Sequence, residues 1–127
     1  MSGVNRLIPD YALLKRFVNL PDLLARVEDD RDLLTELLIL FQEEIPGLQG
    51  ALHHTMDAGD LTEAARAAHA LKGVLGNLSM KQGALLASTI ETAAAAGDVP
   101  KIKETLTAFD SEMVALLEAV DTFMAGK

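Results

Sequence analysis

The chain has 127 residues, half of them apolar, and a formal net charge of −8. A chain of this length forms one domain and buries about two thirds of the surface that its unfolded form exposes, so it needs no disulfide or structural metal. It contains no cysteine, which excludes thiolate catalysis, zinc–thiolate sites and iron–sulfur clusters. The excess of acidic residues disfavours binding to nucleic acid or to anionic membranes.

The composition predicts an all-α fold, because Ala and Leu are abundant and strand-favouring residues are sparse. In chain order, a helix is expected within residues 9–18 and a short one over 22–27, separated by residues 19–21. Apolar residues at helical spacing then predict one long helix over residues 30–57, kinked near Pro46. No signal peptide is expected, and no apolar run approaches the ~18 residues of a membrane span.

Turn signals divide the rest of the chain. The segments Ala58–Asp60 and Ala96–Asp98 each place Gly where a helix ends and Asp where the next helix needs an N-cap. Capping boxes are expected at Asp60–Glu63 and Ser79–Gln82. The helices that these signals define span about residues 61–78, 80–96 and 99–125. Their short connections predict an antiparallel up-and-down four-helix bundle with one or two short N-terminal helices.

Helical geometry places His69 on the solvent side of the 61–78 helix. At about 100° per residue, the apolar residues roughly opposite His69 predict the core face: Ala64, Ala67, Ala68, Leu71, Val74, Leu75 and Leu78. The residues within about 60° of His69 are Thr62, Ala65, Arg66, Lys72, Gly73 and Gly76. A glycine inside a helix destabilises it by roughly 0.5–1 kcal/mol relative to Ala. Two glycines beside an exposed imidazole therefore predict a surface that a partner approaches closely.

This set of side chains suits reversible phosphorylation. A neutral imidazole is nucleophilic near pH 7, since its reference pKa is ~6.5, and the ammonium group of Lys72 offsets charge on phosphoryl oxygens. Glu91 lies about as far after the turn at residue 79 as His69 lies before it, so antiparallel helices bring the two side chains level. A carboxylate that accepts from Nδ1–H leaves Nε2 as the nucleophile.

The run His69-Ala-Leu-Lys72-Gly73-Val-Leu-Gly76, together with Glu91 in an Ile-Glu pair, resembles the histidine-containing phosphotransfer (HPt) domain family, whose core pattern is H-x-L-K-G. The resemblance implies that His69 accepts a phosphoryl group from a receiver-domain aspartate or from a histidine kinase and passes it to a response-regulator aspartate. It makes Lys72 the charge-neutralising residue, Glu91 the imidazole partner, and Gly73 and Gly76 a docking strip. Many members of the family carry Gln at the position of Glu91.

The similarity covers about residues 20–125 and implies an HPt four-helix bundle over residues 20–127, preceded by a partly helical extension over residues 1–19. The implied partners are receiver domains and sensor or hybrid histidine kinases, with Mg²⁺ in the receiver only. We expect a cytoplasmic monomer that is a phosphoryl carrier, not an enzyme, with no cofactor, no ATP site, and no nucleic-acid or membrane partner. The docking surface is expected to include Thr62, Ala65, Arg66, Gly73 and Gly76.

Other interpretations remain open from the sequence. A helical-bundle adaptor or inhibitor would bind a kinase or receiver without chemistry, although such a member would be expected to lose His69. A metal- or haem-binding bundle is disfavoured because His53 and His54 do not have ligand spacing, and we interpret them as surface or boundary residues. Arg66 is equally compatible with an ordinary solvated charge. Since receiver pockets are acidic, the face around His69 is predicted to be neutral or basic.

Overall fold

The computed structural model describes residues 11–126, and all the regular secondary structure within that range is helical. The helices, in chain order, are α1 (Ala12–Lys15), α2 (Leu20–Arg26), α3 (Arg31–Asp57), α4 (Leu61–Asn77), α5 (Lys81–Ala95) and α6 (Val99–Ala125). The predicted all-α class is confirmed, while the beginning of the helix predicted within residues 9–18 lies outside the described residues. Between residues 11 and 126, no helix is long and apolar enough to cross a membrane.

The four long helices, α3 to α6, surround one hydrophobic core. Helix α4 packs against α3 and α5, helix α6 packs against α5 and more lightly against α3, and α1 packs against α6. The largest buried side chains of this core include Phe41, Phe109, Phe123, Leu71 and Leu75. Helices α4 and α5 make the most extensive contact of any helix pair in the described chain. Side chains along the edges where the two helices meet therefore lie close together over several turns.

Local sequence signals set most of the helix boundaries. The aspartates that act as N-caps each accept a hydrogen bond from the backbone N–H three residues later, and they are Asp30, Asp60 and Asp98. Gly59 and Gly97 have φ angles of 70° and 71°, the left-handed conformation that ends a helix. The capping box at Asp60 is half formed, because the Glu63 carboxylate pairs with Arg66 instead of returning to the Asp60 N–H.

The prediction of a capping box at Ser79 is wrong. The N-cap of α5 is Met80, which makes no side-chain capping bond. Ser79 is buried with a φ of 57°, so it takes the left-handed position after α4 that glycine takes after α3 and α5. Its hydroxyl donates to Oδ2 of Asp22 at 2.5 Å, and its carbonyl accepts from the N–H of Asn19. Ser79 therefore ties α2 to the turn between α4 and α5.

Helix α2 begins earlier than predicted, at Leu20, and so includes part of the expected separator. Pro21 is accepted in the first turn because its missing N–H would have no partner inside the helix there. Asn19 is the N-cap, and its side-chain oxygen accepts from the N–H of Asp22 at 3.1 Å. The predicted long helix is α3, which is continuous through Pro46; the kink near Pro46 stays a prediction.

Gly83 marks a close approach of α5 to the helices on either side of it. It is buried, and a Cβ atom at this position would lie 3.0 Å from Cε of Met113 on α6 and 3.3 Å from the Leu75 methyl groups on α4. A side chain at position 83 would therefore displace the Met113 and Leu75 side chains or move α5 away from its neighbours. Glycine at this position favours the close separation between α4 and α5 on which the site described below depends.

We expect Gly83→Leu to lower the free energy of unfolding by about 1–3 kcal/mol, because added methylenes in a packed core force side chains and backbone to shift. Urea unfolding followed by circular dichroism measures the change. Ser111→Ala, at an exposed position on α6, is the control and should leave stability nearly unchanged. A Gly83→Leu protein as stable as the wild type would contradict the close approach.

Candidate functional site

His69 and Glu91 meet across the outer side of the α4–α5 pair. Nδ1 of His69 lies 2.8 Å from Oε2 of Glu91. The His69 side chain is 67% exposed, whereas the Glu91 side chain is 27% exposed. The imidazole therefore projects into solvent with one nitrogen held at its base, and the two side chains expected to lie level on neighbouring helices are in contact.

Lys72 completes a three-residue cluster on the same surface. Its ammonium group donates to Oε1 of Glu91 at 2.7 Å, the oxygen that His69 does not use. Lys72 follows His69 by three residues, so both side chains leave the same side of α4. The Glu91 carboxylate thus binds one α4 side chain through each of its oxygens. A carboxylate held at both oxygens has little freedom to rotate, so Glu91 fixes the orientation of the imidazole.

The protonation of this cluster follows from its hydrogen bonds. The hydrogen bond from Lys72 lowers the pKa of Glu91 below its ordinary value; partial burial opposes this effect, and the hydrogen bond from His69 adds to it. Glu91 is therefore an ionised acceptor at neutral pH, and Nδ1–H of His69 must be the donor. In this tautomer Nε2 carries a lone pair and no proton. Within the described residues, Nε2 has no hydrogen-bond partner.

Gly73 and Gly76 leave bare helix backbone beside the cluster. Gly73 is exposed and Gly76 half-buried, and a Cβ atom at either position would have nothing within 4 Å. Packing among the described residues therefore gives no reason for glycine at these positions. Each glycine nevertheless weakens α4 by roughly 0.5–1 kcal/mol relative to Ala. A surface of low relief is the property that these two residues provide.

The other predicted docking residues lie nearer the N-terminus of α4. Ala65 and Arg66 border an open depression of about 260 Å³ together with His69 and Glu91. Arg66 forms an ion pair with Glu63 at 3.0 Å, and its side chain is 75% exposed. Thr62 is exposed in the first turn of α4.

The charges in contact at this face balance. Arg66 pairs with Glu63, and Lys72 pairs with Glu91. With His69 neutral, the formal charges of these groups cancel, although the chain as a whole carries −8. These two ion pairs thus add no net formal charge beside His69; the neutral or basic face stays a prediction.

The small residues of α5 near Glu91 do not form an open surface. Ala87 and Ala94 are buried in the core, whereas Ala95 is exposed. The reason is that α5 lies between α4 and α6, so its small side chains allow helix packing on both sides. The open backbone on this surface belongs to α4.

A second histidine–carboxylate pair, which the sequence did not predict, joins α3 and α6. Nε2 of His53 on α3 lies 2.8 Å from Oδ2 of Asp110 on α6, and the Gln49 amide donates to the other oxygen at 3.1 Å. No sequence pattern pairs residues 57 positions apart, so no local signal could have found it. The second carboxylate oxygen is bonded by the neutral amide of Gln49 in this pair, whereas in the His69 cluster it is bonded by the ammonium group of Lys72. No group of three or more potential ligands that could hold a metal occurs in residues 11–126.

One family of known proteins matches the part of the chain that contains the His69 cluster. The sequence model of the Hpt domain matches residues 36–123, more than half of the chain. This range contains all of α4 and α5 and most of α3 and α6. The chain matches none of the curated proteins and none of the solved structures.

We expect the stabilising contribution of Glu91 to disappear on acidification. Because its pKa is lowered in the folded state, the contribution is fully present above the ordinary value of 4.5 and is lost as the pH falls through the folded-state pKa. In a His69→Gln background, where no imidazole titrates beside it, the change in unfolding free energy caused by Glu91→Gln should therefore be constant from about pH 7 to about pH 5 and then shrink. Urea unfolding at each pH measures it, and a change that grows below about pH 5 would contradict the lowered pKa of Glu91.

Proposed function

The chain belongs to the Hpt domain family, and we propose that it carries a phosphoryl group on Nε2 of His69. Hpt domains are phosphocarrier modules of two-component signalling, not classical enzymes. The observation that supports His69 as the carrier residue is its geometry. It is an exposed imidazole whose Nδ1–H is held by Glu91 and whose Nε2 has no partner among the described residues.

The proposed transfer needs no general base in this chain. The Nε2 lone pair of His69 attacks the phosphorus of an aspartyl phosphate on a receiver domain. The N–P bond forms while the bond from phosphorus to the aspartate oxygen breaks, and the aspartate leaves as a carboxylate. Nδ1–H stays on the ring, which gains positive charge that Glu91 stabilises. Transfer to a second receiver aspartate reverses these steps, and a histidine kinase can also be the donor.

Lys72 prevents Glu91 from repelling the incoming phosphoryl group. A bare carboxylate next to the imidazole would oppose the negative phosphoryl oxygens, whereas the Lys72–Glu91 pair is neutral. Phosphoryl transfer depends mainly on positioning and charge compensation. We propose that the receiver supplies Mg²⁺ and its acidic ligands, and that this chain contributes no cofactor and no ATP site.

We propose that α3 to α6 form the antiparallel up-and-down four-helix bundle of the family, within the domain of residues 20–127. Leu14, Phe17 and Val18 are buried in the same core, so the end of the 1–19 extension packs on that bundle. The proposed docking surface is the strip formed by Thr62, Ala65, Arg66, Gly73 and Gly76. The proposed partners are a receiver domain and a sensor or hybrid histidine kinase, which the chain meets as a cytoplasmic monomer.

Phosphoryl labelling tests the carrier residue. Incubation with a phosphorylated receiver domain should label the wild type and His53→Gln but should not label His69→Gln. His53 is the matched control because it also bonds a carboxylate on another helix, but without a lysine. Labelling of a folded His69→Gln protein at the wild-type level would overturn the proposal. If the wild type is not labelled and regulates its partner as well as His69→Gln does, the binding-only adaptor is favoured.

We expect Gly73→Ala and Gly76→Ala to make the protein more stable but slower in phosphoryl transfer. Each is expected to raise the free energy of unfolding by about 0.5–1 kcal/mol, because alanine favours the helix and meets no atom of the described chain. Each should also lower the efficiency of transfer from the receiver, by about tenfold or 1.4 kcal/mol, because the methyl group holds the partner away.

The control for the two glycine variants is Ser111→Ala, on the exposed side of α6. It also improves helix propensity, and it should leave transfer unchanged. Urea unfolding gives the stability of each variant, and single-turnover transfer from the phosphorylated receiver gives its rate. Wild-type transfer by both glycine variants would remove these residues from the docking surface.

A further inference from the structure

One end of the described bundle concentrates positive charge. Lys15, Arg16 and Lys81, which we call the basic end, line an open depression of about 450 Å³. All three side chains are exposed, and none forms an ion pair within residues 11–126. The guanidinium group of Arg16 lies 4.9 Å above the ring of Phe17, which supports it from below without neutralising it. The other residues that line the depression are Phe17, Val18, Asn19 and Gln82.

The other described cations are not gathered in this way. Arg26, Arg66 and Lys72 each pair with a carboxylate, and Arg31 donates to the hydroxyl of Tyr11. Lys101 and Lys103 form no ion pair within residues 11–126, but they stand two residues apart on α6 and so do not share one face. Asp22 is the acidic residue whose pKa Lys81 lowers, but its carboxylate already accepts hydrogen bonds from Ser79 and Arg26. Asp22 therefore offsets only part of the charge of the basic end, and the three neighbouring cations still repel one another.

We propose that the basic end docks an acidic surface segment of the domain that exchanges phosphoryl groups with His69. This inference rests on the proposed function and adds a second contact to it. A negatively charged partner is repelled by most of a chain of charge −8. The three exposed cations of the basic end attract such a partner locally. Charge of this kind sets orientation and association rate more than it sets intrinsic affinity.

The separation along the helix axis between His69 and the basic end is within the span of one protein interface. Ser79, next to the basic end, follows His69 by ten residues, which is about 15 Å along a helix. A standard protein interface covers about 800 Å² on each partner, a patch roughly 30 Å across. A nucleic acid or a membrane would instead present an extended anionic surface to the acidic remainder of the chain. A compact acidic segment on a folded partner fits the local patch better.

The test compares two double variants that lose the same charge. Lys15→Gln/Lys81→Gln removes two charges from the basic end, and Lys101→Gln/Lys103→Gln removes two exposed charges from α6. The probe is the receiver domain that labels His69 in the transfer assay. At low ionic strength, the basic-end variant should lose about threefold to tenfold in kcat/KM for transfer. Its kcat should be unchanged, the loss should vanish at high salt, and the α6 variant should lose less.

Binding measured without chemistry separates this inference from the proposed function. Calorimetric titration of the unphosphorylated receiver into His69→Gln, with and without the basic-end substitutions, should show the same loss of affinity. A receiver that binds in this way but never labels His69 would overturn the carrier function and leave the basic end supported. Equal losses in both double variants would overturn the inference, since net charge alone would then explain them. Wild-type kcat/KM in the basic-end variant would also overturn the inference. Binding to phosphatidylserine vesicles that depends on Lys15 and Lys81 would then identify a membrane as the ligand of the basic end.

Discussion

The carboxylate of Glu91 is the group on which the site depends. Each of its oxygens accepts a hydrogen bond from one side chain of α4. Glu91 therefore orients the imidazole of His69, and its negative charge is balanced by the ammonium group of Lys72. Both bonds require α4 and α5 to lie at one separation and in one register. Gly83 and the buried alanines of α5 provide that separation, because larger side chains would push α5 outward. The chemistry of the surface is thus set by packing beneath it.

Helix α4 combines two opposing requirements. Its inner side is a dense apolar face that includes Leu71 and Leu75, while its outer side gives up helix stability at Gly73 and Gly76. The inner face can sustain this loss because burial of large apolar side chains contributes more than glycine removes. A rigid helix with a flat outer surface results. That combination suits the proposed function, in which one nucleophilic nitrogen approaches an aspartate of another protein.

Sequence patterns predict the features that depend on neighbouring residues, and they do not predict bonds to residues far along the chain. Asp60 and Gly59 act as cap and terminator because neighbouring backbone groups need them. Ser79 has the sequence signature of an N-cap, yet its hydroxyl bonds Asp22 on a helix that precedes it by two elements. His53 looked unsupported for the same reason, since Asp110 reaches it only across the bundle. Hydrogen bonds between distant elements leave no periodicity to detect.

By itself, the sequence determined the helical class, most helix boundaries, the exposure of His69 and the face that it shares with Lys72, Gly73 and Gly76. All of these follow from backbone capping and from the angle between successive residues, which require no knowledge of neighbouring helices. Only the tertiary structure decided that Glu91 bonds both His69 and Lys72. Periodicity says which way a side chain points, but the rotation and depth of the opposing helix depend on how the whole core packs.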